Sequence, residues 1–420
     1  MAETVQVHRY PNGLTLIHEE TPGWKGMAMG AFIRAGARDE SDAQSGSAHF
    51  LEHMLFKGTR KRPGREIVQK IEEAGGDFNA YTTSEYTCFH LFLLNRDWAL
   101  GAELLQEVLR EPVFPKSEFE KERKVVLQEL AGAPEVPEEF AFDLLFEKLY
   151  KGEGLGRRIL GKRALVRKTD LKEVKRFYKT HYRPDRIILS VAGVVEFEAV
   201  KAAFSAWGED PLPKTKSIRK KTTSIETGRW WLTQESEQAH LIWAFNAFPI
   251  GDPDDLILSM WTHDLGSGMS SQLFDEVREK RGLAYQVSAS VYPATDSGLL
   301  VFYLATARSK AGEGSRVMQQ LFERWKSEPL TEKRLQSLKR NFTGFLLLSS
   351  EGADARMMTN GYHELYYRKH PQLEEVCQRV EEASLSDFKR VADRILSSNP
   401  GFLGLGPKAL PGTRPTKRSL

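Results

Sequence analysis

His49-Phe50-Leu51-Glu52-His53 decides how this chain is read. The spacing is H-x-x-E-H. On a helix, positions four apart lie one turn above one another, so His49 and His53 present two imidazoles to one point. Glu52 rises beside the same patch, placed either as a base for water or as an outer partner of a metal ligand. The flanks favour a helix. Ser45-Gly46-Ser47 supplies capping residues, Phe50, Leu51, Met54, Leu55 and Phe56 supply packing, and Gly58-Thr59 supplies a stop. A lone histidine pair of this kind more often marks a buried helix with hydrogen-bonded imidazoles. The glutamate between them and the pattern downstream shift the reading towards a metal.

Outward from this stretch, strand and helix patterns follow one another. Residues 5–20 read as two strands around Pro11-Asn12-Gly13, and Met27 to Ala35 as a third. A helix from Arg65 to Ala74 is closed by Gly75-Gly76, and Asp77 to Thr83 leads into the strongly β run Tyr86 to Leu93. Helical patterns follow at Trp98 to Leu109, 116–131, 137–150 and 170–179. The apolar strand Ile187 to Gly193 and a helix at 196–206 complete the first half. Residues 208–223 hold Pro211, Pro213 and a basic run through Lys221, and read as a solvated tether. The second half then echoes the first: Leu93 to Ala99 has its counterpart in Leu304 to Lys310, and Glu111-Pro112 in Glu328-Pro329. The expected architecture is α+β, two homologous domains, each a mostly antiparallel sheet packed with helices. The expected boundaries are a metal-binding domain at 1–210, a linker at 211–223 and a homologous domain at 224–420. The second half has no H-x-x-E-H, and His263 stands alone in the corresponding region. The basic tail from Lys408 is expected to fray.

Composition bounds the function. At 420 residues the chain exceeds one ordinary domain. It is 40% hydrophobic and 28% charged, which is globular. Its 60 basic and 57 acidic residues leave a net charge of +3, which gives no argument for nucleic acid. Cys88 and Cys377 make no disulfide framework, in keeping with a reducing compartment. No apolar stretch reaches membrane-spanning length, and Met1 to Val5 opens no signal or transit pattern. The expectation is a cytoplasmic protein with no membrane and no nucleic-acid partner. Gly266 to Ser271 lacks the lysine of a phosphate loop, so nucleotide binding is set aside.

A catalytic zinc takes three protein ligands and leaves one position for water, so two histidines leave a ligand to find. The charged helix at 116–131 carries Glu122 and Glu129, seven residues apart and on one face. The ordinary reading of any one of its glutamates, as of Glu118 and Glu120, is a solvated helix face. Val125-Val126-Leu127 and Leu130 make this end apolar, however, and a carboxylate there needs a partner, which a cation provides.

The run from His49 to Thr59, then Asn79-Ala80-Tyr81-Thr82, then Glu129, 76 positions after His53, closely resembles the pitrilysin-like (M16) metallopeptidases. That group includes insulin-degrading enzyme and the mitochondrial processing peptidase, and the length resembles its short subgroup with two homologous domains per subunit. The resemblance implies Zn(2+) held by His49, His53 and Glu129, with Glu52 as the base and Glu122 as an outer support. In the second half, Leu273 to Tyr285 looks like the segment carrying the family's Arg/Tyr pair, which implies Arg278 and Tyr285 as catalytic residues. Arg281 is a rival that spacing does not exclude. Asn79 and Ala80 precede a strong strand and are expected to bind an extended peptide if that strand is a sheet edge. The implied function is a zinc-dependent endopeptidase that cleaves unfolded peptides or short polypeptides inside a closed chamber. It is expected to act as a homodimer whose partner subunit supplies the Arg/Tyr pair. The alternative is a catalytically silent structural subunit of a larger complex, against which the complete motif weighs.

Overall fold

The computed structural model describes residues 5–212, 219–222 and 225–416. The first sheet contains β1 (Gln6–Arg9), β2 (Thr15–Glu20), β3 (Gly26–Ile33), β4 (Asp77–Thr82), β5 (Thr87–Leu94) and β6 (Ile187–Gly193), in the order β1-β2-β6-β3-β5-β4. Within it only β2 and β6 run parallel. The second contains β7 (Arg229–Thr233), β8 (Gln238–Asn246), β9 (Gln286–Pro293), β10 (Gly298–Ala307), β11 (Gly401–Gly406) and β12 (Arg414–Thr416), in the order β12-β7-β11-β8-β10-β9. The two orders superimpose place for place, β2 on β7, β6 on β11, β3 on β8, β5 on β10 and β4 on β9. The outer place beside β2 is filled by the start of the chain, and that beside β7 by its end. This is the α+β duplication that the echoing motifs predicted.

Two expectations are corrected. The tail beyond Lys408 does not simply fray: Arg414–Thr416 pairs with β7 as a parallel edge strand, and residues 417–420 lie outside the described residues. Nor is the basic run between the halves a solvated tether where it is described. Arg219 binds Asp39 at 2.7 Å and Glu85 at 3.1 Å, because those carboxylates sit in a crowded junction that needs cations. Residues 213–218 and 223–224 of that run lie outside the described residues.

Four helices carry the argument: α1 (Ser47–Leu55), α2 (Lys116–Gly132), α3 (Pro137–Leu149) and α4 (Ala353–Tyr366). One face of the first sheet is covered by its own half. Phe50, Leu51 and Met54 of α1 and Phe119 and Val126 of α2 are buried in the same core as Leu91 and Leu189. The other face is covered by α4, from the far half, whose Ala353, Met357 and Leu365 bury against Ala28, Phe32, Ile188 and Ala192. The fit is close: a Cβ at Gly30 would run into the Met357 sulfur, so the small residues of β3 admit the helix. Arg356 and Asn360 of α4 both bond the buried Glu19 of β2. In return α3, from the first half, packs Phe140, Leu144 and Leu145 onto Ile242, Tyr303 and Leu403 of the second sheet. Each half therefore lends a helix to the other. Among the described residues no helix is long and apolar enough to cross a membrane, and Cys88 and Cys377 are both free thiols.

Candidate metal centre

α1 and α2 lie side by side, and the predicted ligands meet between them. His49 Nε2 and His53 Nε2 are 3.3 Å apart. Glu129 reaches His49 Nε2 with one carboxylate oxygen and His53 Nε2 with the other, each at 3.9 Å. All three ligand atoms lie within 4.8 Å of one another. Donors 2.0–2.2 Å from a tetrahedral zinc stand about 3.3–3.5 Å apart, so the histidine spacing already matches and a small movement of the carboxylate completes the set. Two nitrogens and one carboxylate oxygen, with a position left open, is the donor set of a catalytic zinc.

The protonation states suit the same reading. His53 Nδ1 lies 3.0 Å from Glu122 Oε2, and the tautomer that donates there turns the Nε2 lone pair toward His49 and Glu129. Burial first, and the neighbouring His53 second, push His49 down to about 4, so it is neutral with a lone pair to give. His49 Nδ1 is buried with no partner among the described residues. Glu52 stands on the same helix face and accepts from the Thr82 hydroxyl at the end of β4. Burial raises its proton affinity against the pull of Thr82 and His53, and Glu129 adds to the rise.

The two glutamates of α2 differ from the expectation. Apolar surroundings enclose Glu122, which is buried, and not Glu129, which is exposed. Val125 points to solvent, while Val126 and Leu130 face the core, so the buried stripe runs on the Glu122 side. Lys57, just past α1, bonds Glu122 Oε1 at 2.8 Å. The start of α1 also departs from the reading of its flanks. Gly46 takes a left-handed conformation (φ 81°), and neither Ser45 nor Ser47 caps the helix. The cap is Glu40, buried in the preceding loop, whose two oxygens accept from Gly46 N–H and Ala48 N–H at 2.8 Å each. Burial pushes its carboxyl up to about 8 while those two donors pull it down.

The remaining predicted residues lie outside this cluster, and two of them meet: Arg278 Nη1 donates to the Tyr285 carbonyl oxygen at 3.5 Å. β4 is the outer strand of its sheet, so Asn79 and Ala80 stand on a free edge. Arg278 lies in a wide helical turn, Phe274–Glu279, over the Phe274 ring, and has no carboxylate partner among the described residues. Arg281 is committed to Glu276 at 2.7 Å. Tyr285 is 60% exposed. Next to it Gln286 bonds Glu138 in the first turn of α3, so the start of β9 stands close to the helix that follows Glu129. A groove of about 900 Å³ opens between the halves beside the β4–β5 turn, with Tyr86, Phe142, Tyr292 and Tyr366 in its wall. In the second half His263 is taken up by Asn341, at 2.6 Å, and by the rings of Phe342 and Phe345.

Residues 15–163 match the family described as Insulinase (Peptidase family M16), and residues 168–342 match the Peptidase M16 inactive domain. The chain belongs to peptidase family M16. Its relatives include the uncharacterized zinc protease YmxG of Bacillus subtilis, 30% identical over 94% of this chain and 97% of that one. An uncharacterized zinc protease of Mycobacterium tuberculosis is 31% identical over 98% of this chain and 93% of its own. The fold matches the solved peptidase M16 inactive domain from Pseudomonas fluorescens at a TM-score of 0.89 and 21% identity, over 99% of this chain and 100% of that one. A protease from Helicobacter pylori has the same TM-score of 0.89 at 20% identity, over 97% of this chain and 100% of that one. Lys57 and Thr82 sit within the M16 motif runs, yet nothing in their spacing gave either a role. Glu40 carries no motif signal at all.

Proposed function

We propose that this M16 chain is a zinc-dependent endopeptidase acting on unfolded peptides or short polypeptides. The observation that carries the reading is the meeting of His49, His53 and Glu129 at one point with Glu52 beside it. The printed names of the relatives support both zinc and proteolysis. Zinc held by these three residues would supply Lewis-acid polarisation of water and of the scissile carbonyl. Glu52 takes a proton from the attacking water and delivers it to the leaving amine nitrogen. Its raised proton affinity suits a group that must both accept and return a proton. An extended peptide adds to the free edge of β4 at Asn79 and Ala80 by main-chain hydrogen bonds.

Arg278 and Tyr285 act on the substrate in this reading: Tyr285 donates to the developing oxyanion and Arg278 holds a neighbouring carbonyl. The contact of Arg278 with the Tyr285 carbonyl, and the commitment of Arg281 to Glu276, support Arg278 as the arginine of the pair. They come from the partner subunit of a homodimer, which closes the chamber over the zinc. The test is to purify the chain alone and to measure its mass in solution, its zinc content and its cleavage of a quenched, unstructured peptide. The expected result is a dimer with one zinc per chain that cleaves, and a Glu52→Gln variant that keeps the zinc and loses cleavage. A chain without zinc and without cleavage would instead be a catalytically silent structural subunit.

A further inference from the structure

Glu52 reaches the metal centre from α1, but what holds its carboxylate comes from elsewhere. The Thr82 hydroxyl donates to Glu52 Oε2 from the last residue of β4, thirty residues along the chain. Among the described residues Oε1 accepts no hydrogen bond, so one oxygen is held and the other is open. Thr82 is β-branched and lies in a strand, where χ1 has little freedom, so the hydroxyl is a stiff donor.

The strand and the helix hang from a common support. Residues 37–40 bond the β4–β5 turn on one side, through Ala37 N–H to Thr83 O at 3.1 Å and Arg38 N–H to Ser84 O at 2.9 Å. On the other side the same segment caps α1 through Glu40. Glu85, in the turn, is fixed by Arg38 at 2.6 Å and by Thr295 of the second half through its N–H at 2.9 Å and its hydroxyl at 2.8 Å. The distance between Thr82 and Glu52 is therefore set from both sides.

We propose that Thr82 is the positioning residue for Glu52: its hydroxyl holds one carboxylate oxygen and leaves the other turned to the reacting water. The proposal rests on the peptidase reading given above. The proton path is unchanged by it. The proton passes from water to Glu52 Oε1 and on to the amine nitrogen, while Thr82 keeps its own proton throughout.

The experiment compares Thr82→Val, which keeps shape and strand preference but loses the donor, with Thr82→Ser, which keeps the donor. Thr82→Val is expected to hold as much zinc as the parent and to keep KM within about twofold, while kcat falls by about tenfold to a hundredfold, the scale of a misplaced catalytic group. Thr82→Ser is expected to recover most of kcat. A crystal structure of zinc-free Thr82→Val is expected to show the Glu52 carboxylate in more than one position. Unchanged kcat in Thr82→Val overturns the proposal. So does an equal loss in Thr82→Ser, which would mark packing, or loss of zinc, which would mark the ligands. If the parent cleaves no peptide, the peptidase reading fails, and the crystal structures alone decide: Glu52 displaced in Thr82→Val but fixed in Thr82→Ser supports the positioning role, and Glu52 unmoved in Thr82→Val refutes it.

Discussion

Glu122 is buried and accepts from two donors, His53 on one oxygen and Lys57 on the other. In the proposed zinc site it would fix the His53 ring and tautomer, so its loss would act on metal binding and not on the chemistry. Glu122→Gln is expected to leave the fold intact and to weaken zinc binding by about tenfold to a hundredfold, measured by competition with a chelator. His49→Ala removes one of the three proposed ligands and is expected to lose the zinc; a variant still carrying stoichiometric zinc would show that His49 is not a ligand. These roles were unequally legible. His49, Glu52 and His53 share two turns of one helix, so the pattern alone placed them on one face. Glu129 needed the motif, because an exposed glutamate on a charged helix looks like its neighbours. The links from Lys57 to Glu122 and from Thr82 to Glu52 span 65 and 30 residues, and sequence spacing carries no trace of such contacts. The spacing to Tyr285 favours Arg278 without excluding Arg281, and the bond from Arg281 to Glu276, far from any sequence signal, adds weight on the same side.

At the scale of elements, the first turn of α1 depends on a group outside it. A helix start leaves backbone N–H groups without partners, and here two of them are met by the two oxygens of the Glu40 carboxyl group. Glu40→Ala leaves both donors buried and unmet, at a cost of about 1–3 kcal/mol each. The expected result is a chain about 2–6 kcal/mol less stable in denaturant unfolding, with weaker zinc binding because His49 stands in that turn. Equal stability would mean that water replaces the carboxylate. Here the local pattern pointed the wrong way. Ser45 and Ser47 are good caps in the abstract, but a left-handed Gly46 between them turns the chain so that neither side chain caps the helix. Most strands and helices were legible from alternation and period, since each buries one face. The edge strand β12 was not: three residues with a proline in a basic tail look like any loose terminus.

The whole molecule is held by two devices, neither of which the sequence displays. The first is the charge cluster where the halves meet. Burial raises the Asp296 carboxyl, but Arg38 at 2.9 Å and Thr222 N–H at 2.7 Å outweigh it, and its pKa lies below the ordinary value. A depressed carboxylate stabilises the fold above its unfolded pKa, and that stability is lost as pH falls below about 4 and through the folded value. Asp296→Asn is therefore expected to be about 2–3 kcal/mol less stable at neutral pH, with a shallower loss in acid, as read from unfolding midpoints at several pH values. The second device is the exchange of α3 and α4. An amphipathic period says that a helix covers something, but it does not say which sheet. The chain reads as two consecutive units, yet each sheet has one face closed by the other half. Unfolding one half must then strip a helix from the other, and the two sheets must open together. Met357→Ala tests this, because Met357 is buried between α4 and the first sheet although it belongs to the second half of the chain. The cavity is expected to cost about 2–4 kcal/mol. Hydrogen exchange should show that cost equally in β3 and β6 of the first sheet and in β8 and β11 of the second. Protection lost from the first sheet alone would mean that α4 can leave without disturbing its own half, and that the two halves are separate folding units after all.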